Sequence, residues 1–119
     1  MSTKFAVVSV WAEDVAATAH FYRDVLGLDL PSQHGSRPHF EVAGVYLTIL
    51  KGSPVAAQNA EPDHFPLFAL AVDDLDAMLN RLEKHQVALP WGVAGNAGER
   101  WVMFHDPAGN LIELVQRVG

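Results

Sequence analysis

Phe5-Ala-Val-Val-Ser-Val-Trp-Ala-Glu-Asp14 returns 60 residues later as Phe65-Pro-Leu-Phe-Ala-Leu-Ala-Val-Asp-Asp74. Each copy is an apolar, strand-like run that ends at an Asp, and each Asp opens a helical pattern. Each copy later reaches a glycine followed by a second apolar strand, Gly44-Val-Tyr-Leu-Thr-Ile-Leu50 and Gly109-Asn-Leu-Ile-Glu-Leu-Val115. A doubled module sets the architecture first, because two half-units that pair leave a concave surface, where small ligands bind.

Working outward from the two Asp residues, the first helix is expected over Asp14–Leu26, with Gly27 just past its end. Val15, Thr18, Ala19, Tyr22, Val25 and Leu26 supply its apolar face. The second is expected over Asp74–His85, with Leu75, Met78, Leu79 and Leu82 as the buried stripe. Strands follow each helix at about Leu28–His34, Pro38–Val42 and Val45–Leu50, then at Val87–Leu89, Arg100–His105 and Asn110–Gln116. Ala43-Gly44 and Asp106-Pro-Ala-Gly-Asn110 are the hairpin turns. Lys51–His64, with its Gly, Pro, Ser and Asn, is the expected linker. The fold class is therefore α+β, two βαβββ modules forming a curved mixed sheet around a cleft. One domain spans 1–119, with module one near 1–50 and module two near 65–119.

Strand alternation sorts the residues into two faces. Ala6, Val8, Val10, Phe40, Val42, Val45, Leu47 and Ile49 share one phase with Phe68, Leu70, Val72, Ile112 and Leu114. That set is apolar and belongs under the helices. The other phase carries Ser9, Trp11, His39, Glu41, Thr48, Leu67, Trp101, Met103, His105 and Glu113. A solvent face would hold fewer aromatics, and a dry core would not hold two Glu and two His. A ligand-lined surface accounts for the mixture, and these ten residues are the candidate ligand-binding set. Surface exposure is the competing reading for His39, Glu41 and His105. A subunit interface competes for Trp11 and Trp101.

Composition narrows the partners. The formal charge of −6 weighs against nucleic acid, whose phosphates need clustered Lys and Arg. With no cysteine, disulfides, thiolate nucleophiles and thiolate metal sites are excluded. The run from Phe5 to Ala12 is too short to span a bilayer and carries no export signal, so a cytoplasmic location is the default expectation.

Asp14, Ala19-His-Phe-Tyr-Arg-Asp-Val-Leu-Gly-Leu28 and Phe104-His-Asp-Pro-Ala-Gly-Asn-Leu-Ile-Glu-Leu114 together resemble the vicinal oxygen chelate superfamily. That superfamily includes glyoxalase I, fosfomycin-resistance transferases, extradiol dioxygenases and bleomycin-resistance proteins. The resemblance covers nearly the whole chain and implies paired βαβββ modules, often in a homodimer. In its metal-dependent branches, ligands sit on the first strand of each module and on the last strand of one or both. Carried onto this sequence, those positions are Val7, Leu67, Thr48 and Glu113. Val7 and Leu67 cannot coordinate, Thr48 is a poor ligand, and one carboxylate does not hold a catalytic divalent ion. No metal is expected there, and no cofactor or catalytic residue is named.

Three functions remain in play. One is a non-catalytic binding or sequestration protein of the bleomycin-resistance type, taking a small organic molecule that is cationic where it meets Glu113. Another is a metal-dependent lyase, transferase or dioxygenase with displaced ligands such as His39, Glu41, His105 and Glu113. The third is an interaction module whose cleft is filled by its partner. A homodimer is expected, with neither nucleic acid nor membrane as partner.

Overall fold

A computed structural model describes residues 2–34, 37–54, 63 and 66–117, with the side chains of 32–34 left aside. The chain divides into two compact units, Met1–Val55 and Ala56–Gly119. The first carries β1 (Val7–Ala12), α1 (Val15–His20) with a π-helical turn over Phe21–Val25, β2 (Asp29–His34), β3 (Arg37–Val42) and β4 (Val45–Lys51). The second carries β5 (Phe68–Ala71), α2 (Leu75–Lys84), β6 (Val93–Gly95), β7 (Glu99–His105) and β8 (Leu111–Arg117).

Both units are βαβββ, and their four-stranded sheets have matching orders, β1-β4-β3-β2 and β5-β8-β7-β6. In each, the first and last strands run parallel and the other neighbours antiparallel. The crossover helix makes a parallel first pair possible, since parallel strands cannot be joined by a tight turn. The repeat in the sequence is thus a repeat in topology.

The register fixes the faces. Val10 pairs with Ile49 and Phe40 with Leu47, and all four are buried with Phe21, Tyr22, Val25 and Leu26 from the helical segment. Tyr22 lies 5.9 Å from Phe40, ring centre to ring centre, which locks the segment to the sheet. In the second unit Phe104 pairs with Ile112 and Val102 with Leu114, all buried with Leu75 and Leu82 of α2. These apolar faces are the phase expected under the helices.

The turns follow from local chemistry. Val42 pairs with Val45 across Ala43 (φ 49°) and Gly44 (φ 84°), the two positive φ values of a type I′ hairpin. In the Asp106–Asn110 loop, the buried Asp106 carboxylate accepts from the Ala108 and Asn110 amides and from Asn110 Nδ2, at 2.9–3.0 Å. That segment is turn chemistry. Asp14 and Asp74 each accept the amide three residues on, Ala17 and Ala77, at 3.0 Å, as N-caps do. Asp74→Ala is expected to cost about 1 kcal/mol of stability in a denaturant titration. No loss would mean that the cap is not holding α2.

Three expectations change. The first helix is not α-helical to Leu26: the Leu26 amide reaches Phe21 O (3.1 Å) and the Leu28 amide reaches Tyr22 O (3.0 Å), widening the turn before Gly27 at φ 75°. The widening still leaves Thr18, Tyr22, Val25 and Leu26 of the expected stripe buried, with Val15 and Ala19 partly exposed. Val87–Leu89 is not a strand. The Val87 amide donates to Leu82 O to finish α2, and Leu89 O accepts from Gly92 across Pro90, so these groups are spent locally. The edge strand forms instead at Val93–Gly95, hairpinned to β7 through Asn96, whose Oδ1 accepts from Gly98 and Glu99. Finally, Lys51 belongs to β4; most of the expected Lys51–His64 linker, from Val55 on, lies outside the described residues except Asp63. Among the described residues no helix is long and apolar enough to cross a membrane.

Candidate functional site

The face of each sheet turned away from its helix, here called the open face, holds the candidate residues. In the second unit Glu113 stands between Ala69 on β5 and Met103 on β7. Trp101 and His105 flank Met103 at the two-residue spacing of one strand face. Leu67 falls in the same phase, one residue before β5, and is 41% exposed. Glu113 is half-buried, and among the described residues no cation or hydrogen-bond donor meets its carboxylate. Burial raises its pKa above the ordinary carboxylate value, and the like charge of Glu99 adds to the rise. A carboxylate so placed gains from any cation that reaches it, because the charge has been partly desolvated without compensation.

Glu99 has Arg117 at 4.0 Å, an exposed pair that does little to quiet its charge. His105 packs against Trp91, ring centres 5.5 Å apart, with its Nε2 atom buried. Sequence reasoning had no reason to single out Trp91. It reaches His105 through the turn at Leu89–Gly92, a contact between segments that no periodicity encodes.

In the first unit Thr48 stands between Ser9 on β1 and His39 on β3, while Tyr46 is flanked by Val7 and Glu41. Thr48 is buried, and its hydroxyl donates to Pro38 O at 2.8 Å. His39 Nδ1 lies 3.1 Å from Arg37 O, which places the proton on Nδ1, and its ring meets Tyr46 edge-on at 6.1 Å. Ser9 and Glu41 are exposed, and Trp11 is half-exposed at 50%. Trp11 lies over Gly52, and Tyr46 is 45% exposed on the same face. Tyr46, Gly52 and Glu99 also belong to the two faces beyond the candidate set, and strand alternation alone places Tyr46 and Glu99 there.

The family-implied metal positions do not fit a divalent ion. Val7 and Leu67 present exposed hydrocarbon, and Thr48 offers only a buried neutral hydroxyl, a poor ligand for a divalent ion. Among the described residues no three His, Asp or Glu side chains converge as a ligand set. Val7→His, which adds one imidazole, is therefore expected to leave the protein without tight zinc or nickel binding by calorimetry. Stoichiometric sub-micromolar binding would contradict that. An open recess of about 460 Å³ exists in the first unit, lined by Glu13, Asp14, Val15 and Lys51. None of the candidate residues lines it; there Lys51 Nζ donates to the Glu13 backbone O and Asp14 accepts from the Ala17 amide.

Comparison with known proteins agrees with this geometry. The sequence pattern of the Glyoxalase/Bleomycin resistance protein/Dioxygenase superfamily matches residues 4–114. The uncharacterized protein YaeR of Escherichia coli (strain K12) is 28% identical over 120 residues, covering 92% of this chain and 93% of that protein. Among solved structures, oxidase ChaP-H2 superposes with a TM-score of 0.77 at 27% identity, over 99% of this chain and 96% of that one. Lactoylglutathione lyase from Agrobacterium tumefaciens gives 0.74 at 24% identity over 98% and 95%. The fosfomycin resistance protein FosX from Listeria monocytogenes gives 0.77 at 17% identity over 98% and 94%, a likeness of fold. The repeated βαβββ topology and the match along 4–114 have one reading: the chain belongs to the glyoxalase/bleomycin resistance protein/dioxygenase superfamily.

Proposed function

We propose that the protein binds and sequesters small amphipathic organic molecules on the open face of each sheet taken by itself, without a metal and without turning them over. The observation that carries this reading is Glu113, a half-buried carboxylate whose charged neighbour is another carboxylate, set beside Trp101 and Met103. A cation brought to Glu113 offsets its desolvation, while the aromatic and thioether groups receive the apolar part of the ligand. Relatives named as a lyase and an oxidase show that the fold supports catalysis elsewhere. Val7, Leu67 and the neutral Thr48 hydroxyl argue against the metal-based route at the family positions, and no displaced set assembles among the described residues. Calorimetric titration of chelator-dialysed protein with hexyltrimethylammonium, an amphipathic cation, tests this. Saturable binding that added zinc, nickel or manganese leaves unchanged supports it. Binding that appears only with metal, or turnover of a substrate on metal addition, overturns it.

A second reading has its own observation. Val7, Trp11 and Tyr46 share the open face of the first unit and are each 45–50% exposed, and Phe5 just before β1 is 82% exposed. So much exposed apolar surface on one face suits a second copy of the chain. Sedimentation at micromolar concentration is expected to show a dimer; a single 13.0 kDa species would remove this reading.

A further inference from the structure

Trp11 ends the open face of the first unit, where it pairs with Leu50 across β1 and β4. Gly52 follows β4 on the same phase as Leu50 and is tied back to β1 by its amide, which donates to Ala12 O at 3.0 Å. A Cβ built on Gly52 would stand 2.7 Å from Trp11 Cε3, 3.4 Å from Cδ2 and 3.5 Å from Cζ3. Those three atoms belong to the six-membered ring of the indole, so that ring rests on bare backbone. Glycine is required here by a close approach; no positive φ is involved. Trp11 is still 50% exposed, so seating its ring on Gly52 does not bury the residue.

We propose that Gly52 is a positioning residue that holds the Trp11 indole as a fixed platform, and that this platform selects flat aromatic rings among the organic molecules the open face takes. The inference rests on the binding function proposed above and adds the class of ligand. A ring that lands on a pre-seated indole orders little side chain on arrival and gains from offset stacking. A saturated ring of the same carbon skeleton cannot stack. Any side chain at 52 drives the indole off its seat, because the obstacle is a rigid bicycle rather than a flexible chain end.

The probes are 2-naphthylmethanol and its saturated counterpart decahydro-2-naphthylmethanol, with hexyltrimethylammonium as the ligand that needs no flat ring. Wild-type protein is expected to favour the naphthyl compound by about 5-fold, the scale of one aromatic pair. Gly52→Ala is expected to change the indole bands of the near-ultraviolet circular dichroism spectrum and to abolish the preference. Trp11→Leu should abolish it too, and the two changes together should do no more than either alone. Hexyltrimethylammonium should bind Gly52→Ala as it binds wild type, a readout that general destabilisation would move. If Gly52→Ala does not fold, Trp11→Leu still decides whether the platform selects the ring. Retention of the naphthyl preference in either variant overturns the proposal, as does an unchanged indole spectrum in Gly52→Ala. Wild-type protein that binds hexyltrimethylammonium but does not discriminate the two rings overturns the proposal alone. Failure to bind any probe overturns it together with the proposed function.

Discussion

Phe104→Ala is expected to lower the unfolding free energy by about 3–5 kcal/mol, the range for removing a fully buried phenyl group. Phe104 is 0% exposed and pairs with Ile112 on the helix face of the second sheet, beside Val102 and Leu114. Strands on either side are held by their hydrogen-bond ladders, so the surroundings can collapse only partly into the space left. A domain of this size has a net stability of roughly 5–15 kcal/mol, and the variant should therefore stand near its unfolding threshold. Urea titration followed by circular dichroism measures the loss. A change below about 1 kcal/mol would show that the β7–β8 face is not the core of that unit.

That core was legible in the sequence, because Phe104, Ile112 and Leu114 alternate with Trp101, Met103, His105 and Glu113 along strands bounded by a five-residue turn. A period of two survives folding, since one face must be buried and a slip of one residue would invert every side chain. Asp14 and Asp74 were legible for a similar local reason: the cap and its amide partner lie within one turn. The parts that were not legible depend on competition between segments. Val87–Leu89 has β-branched and apolar character, yet the end of α2 and the Pro90 turn use its backbone groups first. The π-helical turn at Phe21–Val25 buries the same stripe as an α-helix, so the hydrophobic pattern carries no mark of it. At the candidate site, the phase of Ser9, Trp11, His39, Glu41 and Glu113 could be read, but their engagements could not. Thr48 bonding to Pro38 O, Trp91 meeting His105 and Trp11 lying on Gly52 are long-range contacts that spacing does not encode.

Glu113→Gln is expected to weaken hexyltrimethylammonium binding by about 1 kcal/mol, the scale of an ion pair at a partly exposed site, while leaving the fold intact. The effect has a definite pH sense. Burial and Glu99 raise the folded-state pKa of Glu113, so the folded protein holds its proton to higher pH than the unfolded chain does. Between the ordinary carboxylate value and the raised one, the folded state binds more protons, and stability contributed at this position falls as pH rises. The Gln variant lacks that penalty, so at neutral pH it should be at least as stable as wild type, with its advantage fading in acid. Cation binding runs the other way. It needs the ionised carboxylate, and in wild type it should fade as pH falls, beginning above the usual carboxylate range. In Glu113→Gln that pH dependence should vanish. Equal affinity of the two proteins, or a Gln variant that loses stability at neutral pH, would contradict the role given to Glu113.

The claim that an ionised Glu113 holds the cationic end of the ligand is tested most directly by counting protons released on binding. Hexyltrimethylammonium carries no titratable proton, so any proton released comes from the protein. Calorimetry in mildly acidic buffers of differing ionisation enthalpy gives that count, for wild type and for Glu113→Gln. A cation arriving at a partly protonated carboxylate favours its charged form and expels the proton. The account predicts proton release from wild type and none from Glu113→Gln. Release of the same size from both proteins, or no release from wild type at a pH where Glu113 is partly protonated, would contradict it.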